Sequence, residues 1–158
     1  MSERSVFSES DDIPLVLLAT HNSEGFIRPL LDSLRDQAGA TLSVLISDDR
    51  SSDSIVRIAN EYEGKGAVSE LICLTNTTEW HGVVGNFSYL CQQALRSGAN
   101  TFFFCDHDDE WAIDKVARSL SLFSSSSANE EEQPFLVFSD LNVTDEHGDE
   151  LHRSFVEY

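Results

Sequence analysis

Apolar runs of strand length alternate along this chain with segments in which apolar residues recur at helical spacing. Residues 13–19 form a continuous apolar run, and apolar side chains then follow at intervals of one, three and four from Phe26 to Leu34, with Ser23 placed to cap that helix. The same unit recurs, which predicts further strands over 42–47, 68–74 and 101–105 and further helices over 55–62, 87–95 and 113–120. A fifth strand is predicted over 135–139.

Strands that are apolar on both faces and alternate with amphipathic helices indicate a mostly parallel sheet covered on both sides. The predicted fold class is therefore α/β. A chain of 158 residues is long enough for one core. We expect a polar lead-in over residues 1–12 and one domain over 13–158, with a surface bridge of low complexity over 124–133.

The composition is strongly acidic, with 10 Lys and Arg residues against 28 Asp and Glu residues and a formal net charge of −18. Such a charge repels nucleic acid and anionic lipid headgroups, so direct nucleic-acid binding is not expected. No apolar stretch approaches the roughly 20 residues that a membrane-spanning helix needs. Residues 1–12 also lack the apolar centre of a secretory signal.

The three cysteines, Cys73, Cys91 and Cys105, are widely spaced among apolar neighbours. They lack the close pairs of a zinc site, and buried reduced thiols in a reducing compartment fit them best. We therefore expect a cytoplasmic protein, either free or attached peripherally at the inner face of the membrane.

Polar clusters directly follow four of the predicted strands. They are Thr20-His21-Asn22 after the first strand, Asp48-Asp49 after the second, Asp106-His107-Asp108-Asp109 after the fourth and Asp140 after the fifth. Strands often end in turn-forming Asp or Asn, which accounts for any single cluster. Four clusters at the same edge of a parallel sheet, where ligands of such sheets bind, instead predict a binding site.

The densest cluster places Asp106, Asp108 and Asp109 within four residues, and three adjacent carboxylates repel one another unless they are protonated, solvated or bound to a cation. Oxygen ligands favour Mg²⁺ or Mn²⁺, which accept their remaining ligands from water and from a substrate diphosphate. Asp49 is suited to accept hydrogen bonds from a uracil-like base or from ribose hydroxyls. His21 and His107 are either further ligands or ordinary polar loop residues.

The segments IPLVLLATHN, VLISDDRSSD, GVVGNFSYLCQQAL and FFFCDHDDEWAIDK resemble the N-terminal part of family 2 glycosyltransferases, particularly their rhamnosyltransferase-like members. The resemblance covers residues 13 to about 145. Its most specific part is a D-x-D-D-x-W loop followed by D-K after two residues, met here by Asp106, Asp108, Asp109, Trp111, Asp114 and Lys115. It implies a GT-A (Rossmann-like) fold, a three-layer sandwich, and leaves open whether the C-terminal part of that fold is truncated.

The resemblance also implies the roles of individual residues. Thr20 and Asn22 would line a nucleotide pocket, Asp49 would contact the base or ribose, and Asn86 would lie near the sugar-nucleotide. Asp106 or Asp108 would face the ribose and sugar, and Asp108 and Asp109 would bind the metal, Mn²⁺ or Mg²⁺.

The implied reaction is inverting, metal-dependent transfer of a sugar from a UDP- or dTDP-linked donor to a hydroxyl of a glycan or lipid-linked acceptor. The catalytic base is expected beyond Tyr158, so a non-catalytic or truncated nucleotide-sugar-binding module is the alternative. A phosphatase of the haloacid-dehalogenase type fits less well, because Glu110 stands where that motif needs Thr or Val. A phospho-receiver domain is disfavoured because its paired acids should follow the first strand.

Overall fold

The computed structural model describes residues 13–126 and 135–157. Four strands and four helices alternate in the order predicted over 13–126. The strands are β1 (Leu15–Thr20), β2 (Leu42–Asp48), β3 (Val68–Thr75) and β4 (Phe102–Asp106), and the helices are α1 (Ile27–Arg35), α2 (Ile55–Asn60), α3 (Gly82–Ala94) and α4 (Lys115–Ser126). Two compact units divide the chain, the first ending at Ala117 and the second beginning at Arg118.

The four strands form one sheet in the order β3-β2-β1-β4, and every neighbouring pair is parallel. Every residue of β1 and β2, the two central strands, is buried. Runs that are apolar on both faces fit this position, because both faces of an internal parallel strand are covered. The predicted α/β class with a mostly parallel sheet is confirmed.

One face of the sheet packs against α3. Alternate residues of β1, Leu15, Leu17 and Ala19, form a buried cluster with Leu90 and Ala94 of that helix. Helix α1 buries its apolar stripe completely, since Ile27, Leu30, Leu31 and Leu34 are each 0% exposed. These residues follow the spacing that places one helix face against a core, and each buried leucine or isoleucine contributes about 1.5–3 kcal/mol of transfer free energy.

Three predicted boundaries within this unit are wrong. Ser23 does not cap α1 through its side chain, because its buried hydroxyl has no hydrogen-bond partner and only its carbonyl accepts the N–H groups of Phe26 and Ile27. Helix α3 begins at Gly82, five residues before the predicted start at residue 87. Helix α4 begins at Lys115, and Ile113, expected on its apolar face, is 63% exposed.

The predicted strand over residues 135–139 is wrong, and with it the expectation that Asp140 ends a strand of the sheet. Within the described residues this segment pairs with no strand, and its apolar side chains Leu136 and Phe138 are 78% and 87% exposed. The Asp140 carboxylate instead accepts the backbone N–H groups of Phe155 and Val156 at 3.0 and 3.2 Å. Apolar periodicity alone cannot reveal whether a partner strand exists.

The second unit contains a short antiparallel pair, β5 (Val143–Thr144) and β6 (Glu150–His152). A turn over residues 145–149 joins them, and in it the Asp145 carboxylate accepts the N–H groups of His147 and Asp149. The predicted bridge over 124–133 lies mostly outside the described residues, and its first three residues continue α4. Across 13–126 and 135–157, none of the helices has both the length and the apolar character of a membrane span.

Candidate functional site

The carboxyl ends of β1, β2 and β4 lie at the same level of the sheet. The register pairs Thr20 with Asp48 and Ala19 with Asp106, so the polar residues that end these strands are adjacent. Loops and helix N-termini converge at this edge of an open parallel sheet. The sequence prediction that the first, second and fourth strands end together is therefore confirmed.

A cavity of about 600 Å³ opens at this edge. Its volume is within the range of ligand pockets in proteins, roughly 300–1,000 Å³. The residues that line it come from β1, β4, the loop after β2 and the start of α3, and they are Ala19, Thr20, His21, Asp49, Arg50, His81, Gly82, Val83, Asn86, Asp106 and His107. Four predicted binding residues, Thr20, Asp49, Asn86 and Asp106, are thus brought together, whereas Asn22 and the predicted metal ligands Asp108 and Asp109 are not among the lining residues.

Asn86 connects the ends of β1 and β2 to α3 beneath this cavity. The side chain is 3% exposed, and its amide nitrogen donates to the carbonyls of Ser47 at 2.8 Å and Thr20 at 3.3 Å. Its carbonyl oxygen accepts the Ser47 hydroxyl at 2.5 Å. A buried amide with all these partners satisfied fixes the N-terminal part of α3 against the two central strands.

Asp48 and Asp49 are neighbours with different roles. The Asp48 carboxylate is buried and accepts hydrogen bonds from the backbone N–H and the hydroxyl of Ser51 and from the hydroxyl of Thr20. It therefore holds the turn that follows β2. The Asp49 side chain contacts the start of α3 instead, where His81 Nδ1 lies 2.6 Å from Oδ1 and the Gly82 N–H donates to Oδ2 at 2.8 Å.

The ionised state of Asp49 is favoured by these contacts. Burial opposes the charge, but the hydrogen bonds from His81 and from the Gly82 N–H outweigh it and hold the pKa of the carboxyl below its ordinary value. Asp49 is consequently an acceptor at neutral pH. The predicted role of Asp49, accepting hydrogen bonds from a base or ribose, requires an acceptor of this kind and stays a prediction.

The loops after β1 and β2 bind one another through reciprocal contacts. The Asn22 N–H donates to the Ser51 hydroxyl, and the Asn22 side-chain oxygen accepts the Ser52 N–H at 3.0 Å. Glu24 and Asp53 repeat the exchange, because each carboxylate accepts a backbone N–H from the opposite loop. The amide of Asn22, predicted to line the pocket, is thus engaged in joining the two loops.

Arg50 is held in an unusual backbone conformation next to the cavity. Its φ of +60° lies in the left-handed region, where a residue other than glycine is uncommon. Its guanidinium donates to the carbonyl of Thr78 at 3.3 Å, and the residue lines the cavity. Backbone strain of this kind persists where surrounding contacts impose it, and it clusters at binding sites.

The acidic loop after β4 crowds its carboxylates together. Burial raises the pKa of the Asp109 carboxyl above its ordinary value, the charges of Asp106 and Asp108 raise it further, and Lys115 offsets part of the effect. The described residues contain no group of three His, Cys, Asp or Glu side chains positioned to hold an ion by themselves. The donor set still fits Mg²⁺ or Mn²⁺, which are bound by one or two carboxylates together with substrate phosphates.

The far side of the acidic loop is anchored to α1 through Gln37, a residue that sequence reasoning did not find. Its buried amide donates to the carbonyls of Ala112 at 2.8 Å and Ser33 at 3.1 Å, and its oxygen accepts the Val116 N–H at 3.1 Å. Trp111, 7% exposed, packs against Phe103 on the same side. These contacts fix where the loop ends and α4 begins.

Two further lining residues with polar side chains, His81 and Arg50, were missed from the sequence. His81 lies in a long loop without a recognised motif, and the backbone conformation of Arg50 is not readable from its neighbours. The histidine of the TTEWHG segment gives no signal on its own, although a prediction that α3 starts at Gly82 would have placed His81 directly before that helix. His21 and His107, left undecided above, both line the cavity.

The cysteines are unpaired, as the sequence predicted. Cys105 is buried, and Cys73 and Cys91 are half-buried. Burial raises the pKa of Cys73 to about 12, with a further contribution from the charge of Asp48. A thiol with so high a pKa is a poor nucleophile at neutral pH, and Cys73 is not among the residues that line the cavity.

An open parallel sheet with a cavity beyond its strand ends, lined in part by polar side chains, is the arrangement by which nucleotide-binding α/β proteins hold their ligands. The family model described as Glycosyl transferase family 2 matches residues 15–129 of this chain. The chain therefore belongs to Glycosyl transferase family 2, and the resemblance noted in its sequence is confirmed.

Two curated relatives show the same relationship. The chain is 29% identical over 112 residues to the dTDP-rhamnosyl transferase RfbG of Shigella flexneri, covering 71% of this chain and 38% of that protein. It is 24% identical over 136 residues to the amylovoran biosynthesis glycosyltransferase AmsB of Erwinia amylovora, covering 81% and 41%. The chain thus spans about two-fifths of the length of these relatives.

Solved structures of TarS from S. aureus share the fold. One superposes with a TM-score of 0.62 at 22% identity, covering 84% of this chain and 25% of that one. A shorter form, residues 1–349 in complex with UDP-GlcNAc, superposes with a TM-score of 0.62 at 21% identity, covering 82% and 40%. At these identities the similarity establishes the GT-A fold.

Proposed function

We propose that this chain is the nucleotide-sugar-binding part of a glycosyltransferase that transfers a sugar from a nucleotide-diphosphate donor to an acceptor hydroxyl. The observation that carries the proposal is the cavity at the carboxyl edge of the sheet, where Thr20, Asp49, Asn86 and Asp106 meet. One relative is named as a dTDP-rhamnosyl transferase and one neighbour was solved with UDP-GlcNAc. These names favour a UDP- or dTDP-linked donor for this chain as well.

Each lining residue has a chemical task in this proposal. Asp49, ionised and held by two hydrogen bonds, accepts from the base or ribose. Asp106 lines the opposite part of the cavity and accepts from the ribose and sugar hydroxyls. Arg50 provides positive charge next to a ligand that carries two phosphates, in a protein whose formal net charge is −18.

Asp108 and Asp109 are the residues proposed to hold Mn²⁺ or Mg²⁺. Two carboxylates and the donor diphosphate together provide the oxygen ligands that these ions prefer. When bound, such an ion supplies Lewis-acid stabilisation of the negative charge that grows on the departing diphosphate. The cation would also relieve the repulsion by Asp106 and Asp108 that adds to the effect of burial in raising the pKa of Asp109.

The proposed reaction is a displacement at the anomeric carbon with inversion of configuration. The acceptor oxygen forms the new bond, the bond to the diphosphate breaks, and a general base removes the acceptor proton. We assign no residue among 13–126 and 135–157 to that base. The acceptor in this proposal is a hydroxyl of a glycan or of a lipid-linked sugar, in keeping with a relative named for amylovoran biosynthesis.

Isothermal titration with UDP and with dTDP, each in the presence of Mn²⁺, tests the binding part of this proposal. We expect binding that requires the ion and that is lost in the double variant Asp108→Ala/Asp109→Ala. The matched control is Asp36→Ala/Glu63→Ala, which removes the same charge from exposed positions outside the cavity. If the first double variant bound nucleotide as tightly as the control, the assignment of the metal site would be wrong.

A donor-hydrolysis or transfer assay separates the enzyme from a non-catalytic binding module. Release of UDP from UDP-linked sugar, or transfer to a glycan acceptor, would identify the enzyme. Tight binding of the donor without turnover would support the module instead. Failure to bind either nucleotide diphosphate would contradict both.

A further inference from the structure

His81 and Gly82 both form hydrogen bonds with the carboxylate of Asp49. His81 Nδ1 is 2.6 Å from Oδ1, and the adjacent backbone N–H of Gly82 is 2.8 Å from Oδ2. Consecutive residues thus bind the two oxygens of one carboxylate, which fixes the rotation of the carboxylate plane. Each oxygen retains acceptor capacity beyond the bond that it already accepts.

The partner of His81 Nδ1 determines that this ring nitrogen is the donor. An ionised carboxylate can only accept, so His81 Nδ1 carries a hydrogen and donates it to Asp49. The Asp49 side chain is 7% exposed, whereas that of His81 is 42% exposed and lines the cavity. The His81 imidazole therefore contacts the buried Asp49 carboxylate and also borders the cavity.

His21 contacts the same aspartate but holds a different part of it. Its Nδ1 donates to the Asp49 backbone carbonyl at 2.8 Å, and its Nε2 lies 2.9 Å from the Asn22 amide nitrogen, which donates to it. Both ring nitrogens of His21 are thus used within the loops. The backbone of Asp49 is held by His21, and its side chain is held by His81 and Gly82.

The loop before His81 is built to keep the ring in place. Asn76, 0% exposed, donates its backbone N–H to the Asp48 carbonyl and its side-chain amide to the Trp80 carbonyl. Gly85 lies so close to Trp80 that a Cβ there would stand 2.6 Å from the Trp80 carbonyl carbon. The segment that carries His81 is consequently fixed by the hydrogen bonds of Asn76 and by the close contact between Gly85 and Trp80.

We propose that His81 is a positioning residue of the nucleotide site, orienting the Asp49 carboxylate to accept the imide N–H of a uracil or thymine base. This role rests on the proposed function. Uracil and thymine present a ring N–H donor, whereas cytosine presents a bare ring nitrogen that repels a fixed carboxylate. A preorganised acceptor rejects a ligand that lacks the donor more strongly than a freely rotating one does.

The test compares the affinities for UDP and CDP by isothermal titration at constant Mn²⁺, for the unaltered chain and for His81→Ala. Loss of a hydrogen bond to a charged group predicts that UDP binding weakens by about tenfold. CDP binding should change much less, so the preference for UDP should fall by a similar factor. His147→Ala, an exposed histidine of the second unit, controls for the loss of an imidazole and should leave both affinities unchanged.

Rescue by His81→Asn distinguishes positioning from a general structural role. The asparagine amide nitrogen occupies nearly the place of imidazole Nδ1 and can donate to the same carboxylate oxygen, so UDP preference should return in large part. In an Asp49→Ala background, His81→Ala should have little further effect, because its partner is gone. Thermal denaturation of each variant confirms that it is folded.

Two different failures are distinguishable. If the unaltered chain binds UDP but His81→Ala keeps the same ratio of UDP to CDP affinity, or His81→Asn is no better than His81→Ala, the role of His81 is refuted while the binding site stands. If the unaltered chain binds neither UDP nor dTDP, the proposed function is wrong, and the positioning role of His81, which depends on it, is wrong as well.

Discussion

Replacing Asn86 by alanine should destabilise the chain far more than an ordinary surface substitution does. The side chain is buried, and its amide makes three hydrogen bonds that join β1, β2 and α3. Alanine removes all three bonds. It leaves the hydroxyl of Ser47, itself 0% exposed, without its acceptor.

The magnitude follows from these bonds. A hydrogen bond within a protein contributes about 0.5–1.5 kcal/mol net, and an unsatisfied buried group costs about 1–3 kcal/mol. The bond at 3.3 Å is the weakest of the three, so we expect the free energy of unfolding to fall by about 2–4 kcal/mol. For a chain of this size, that corresponds to a decrease in Tm of about 5–15 °C.

Urea denaturation at neutral pH measures this change, with Asn60→Ala as the control. Asn60 is the exposed last residue of α2, and its replacement should stay within about 0.5 kcal/mol of the unaltered chain. Asn86→Asp provides a second probe of the same volume, because it places a carboxylate oxygen against two carbonyls. This contact raises the pKa of the new carboxyl in the folded state, so the stability lost at neutral pH should return as the pH falls and the carboxyl is protonated.

Equal stability of the Asn86→Ala and Asn60→Ala variants would refute this account of how α3 is held. An Asn86→Asp variant whose deficit does not shrink on acidification would refute the donor role assigned to the amide nitrogen. Either result would also contradict the description of Asn86 as a rigid element at the base of the cavity.

Three other substitutions test neighbouring parts of the site. Gln37→Ala removes the anchor of the acidic loop and should lower Tm by about 5–10 °C in thermal denaturation. Gly85→Ala should push the Trp80 backbone away and weaken UDP binding by titration about tenfold or more, whereas Gly25→Ala, where a Cβ meets nothing within 4 Å, should not. Asp109→Asn should raise Tm by about 1–3 °C at neutral pH, since it removes a charge disfavoured by burial and by neighbouring carboxylates. Because the pKa of Asp109 is raised in the folded state, this gain in Tm should shrink as the pH falls. The same substitution should abolish metal-dependent UDP binding.

The alternation of strands and helices was predictable because each element carries its own periodic signal. Leu30, Leu31 and Leu34 repeat at helical spacing, and all three are buried in α1. The run from Phe135 to Ser139 carries an equally clear strand signal but forms no strand in the described residues. A strand needs a partner for its backbone groups, and no local pattern indicates whether one is present.

The site was predictable where it follows from the end of a strand, as with Asp49 and Asp106. It was not predictable where it depends on residues distant in sequence. Gln37 holds the acidic loop through partners 75 and 79 residues away, and His81 meets Asp49 across 32 residues. These residues come into contact only when the sheet brings their loops together, so the sequence around one residue does not identify its partner.

The reciprocal contacts between the loops after β1 and β2 have a consequence for ligand affinity. Ordering a loop around a ligand costs conformational entropy, which subtracts from the free energy of binding. Here Asn22 and Glu24 already hold residues 51–54 through hydrogen bonds made within the protein. The entropy of these two loops is therefore lost during folding, and a nucleotide that binds beside them meets a surface that is already ordered.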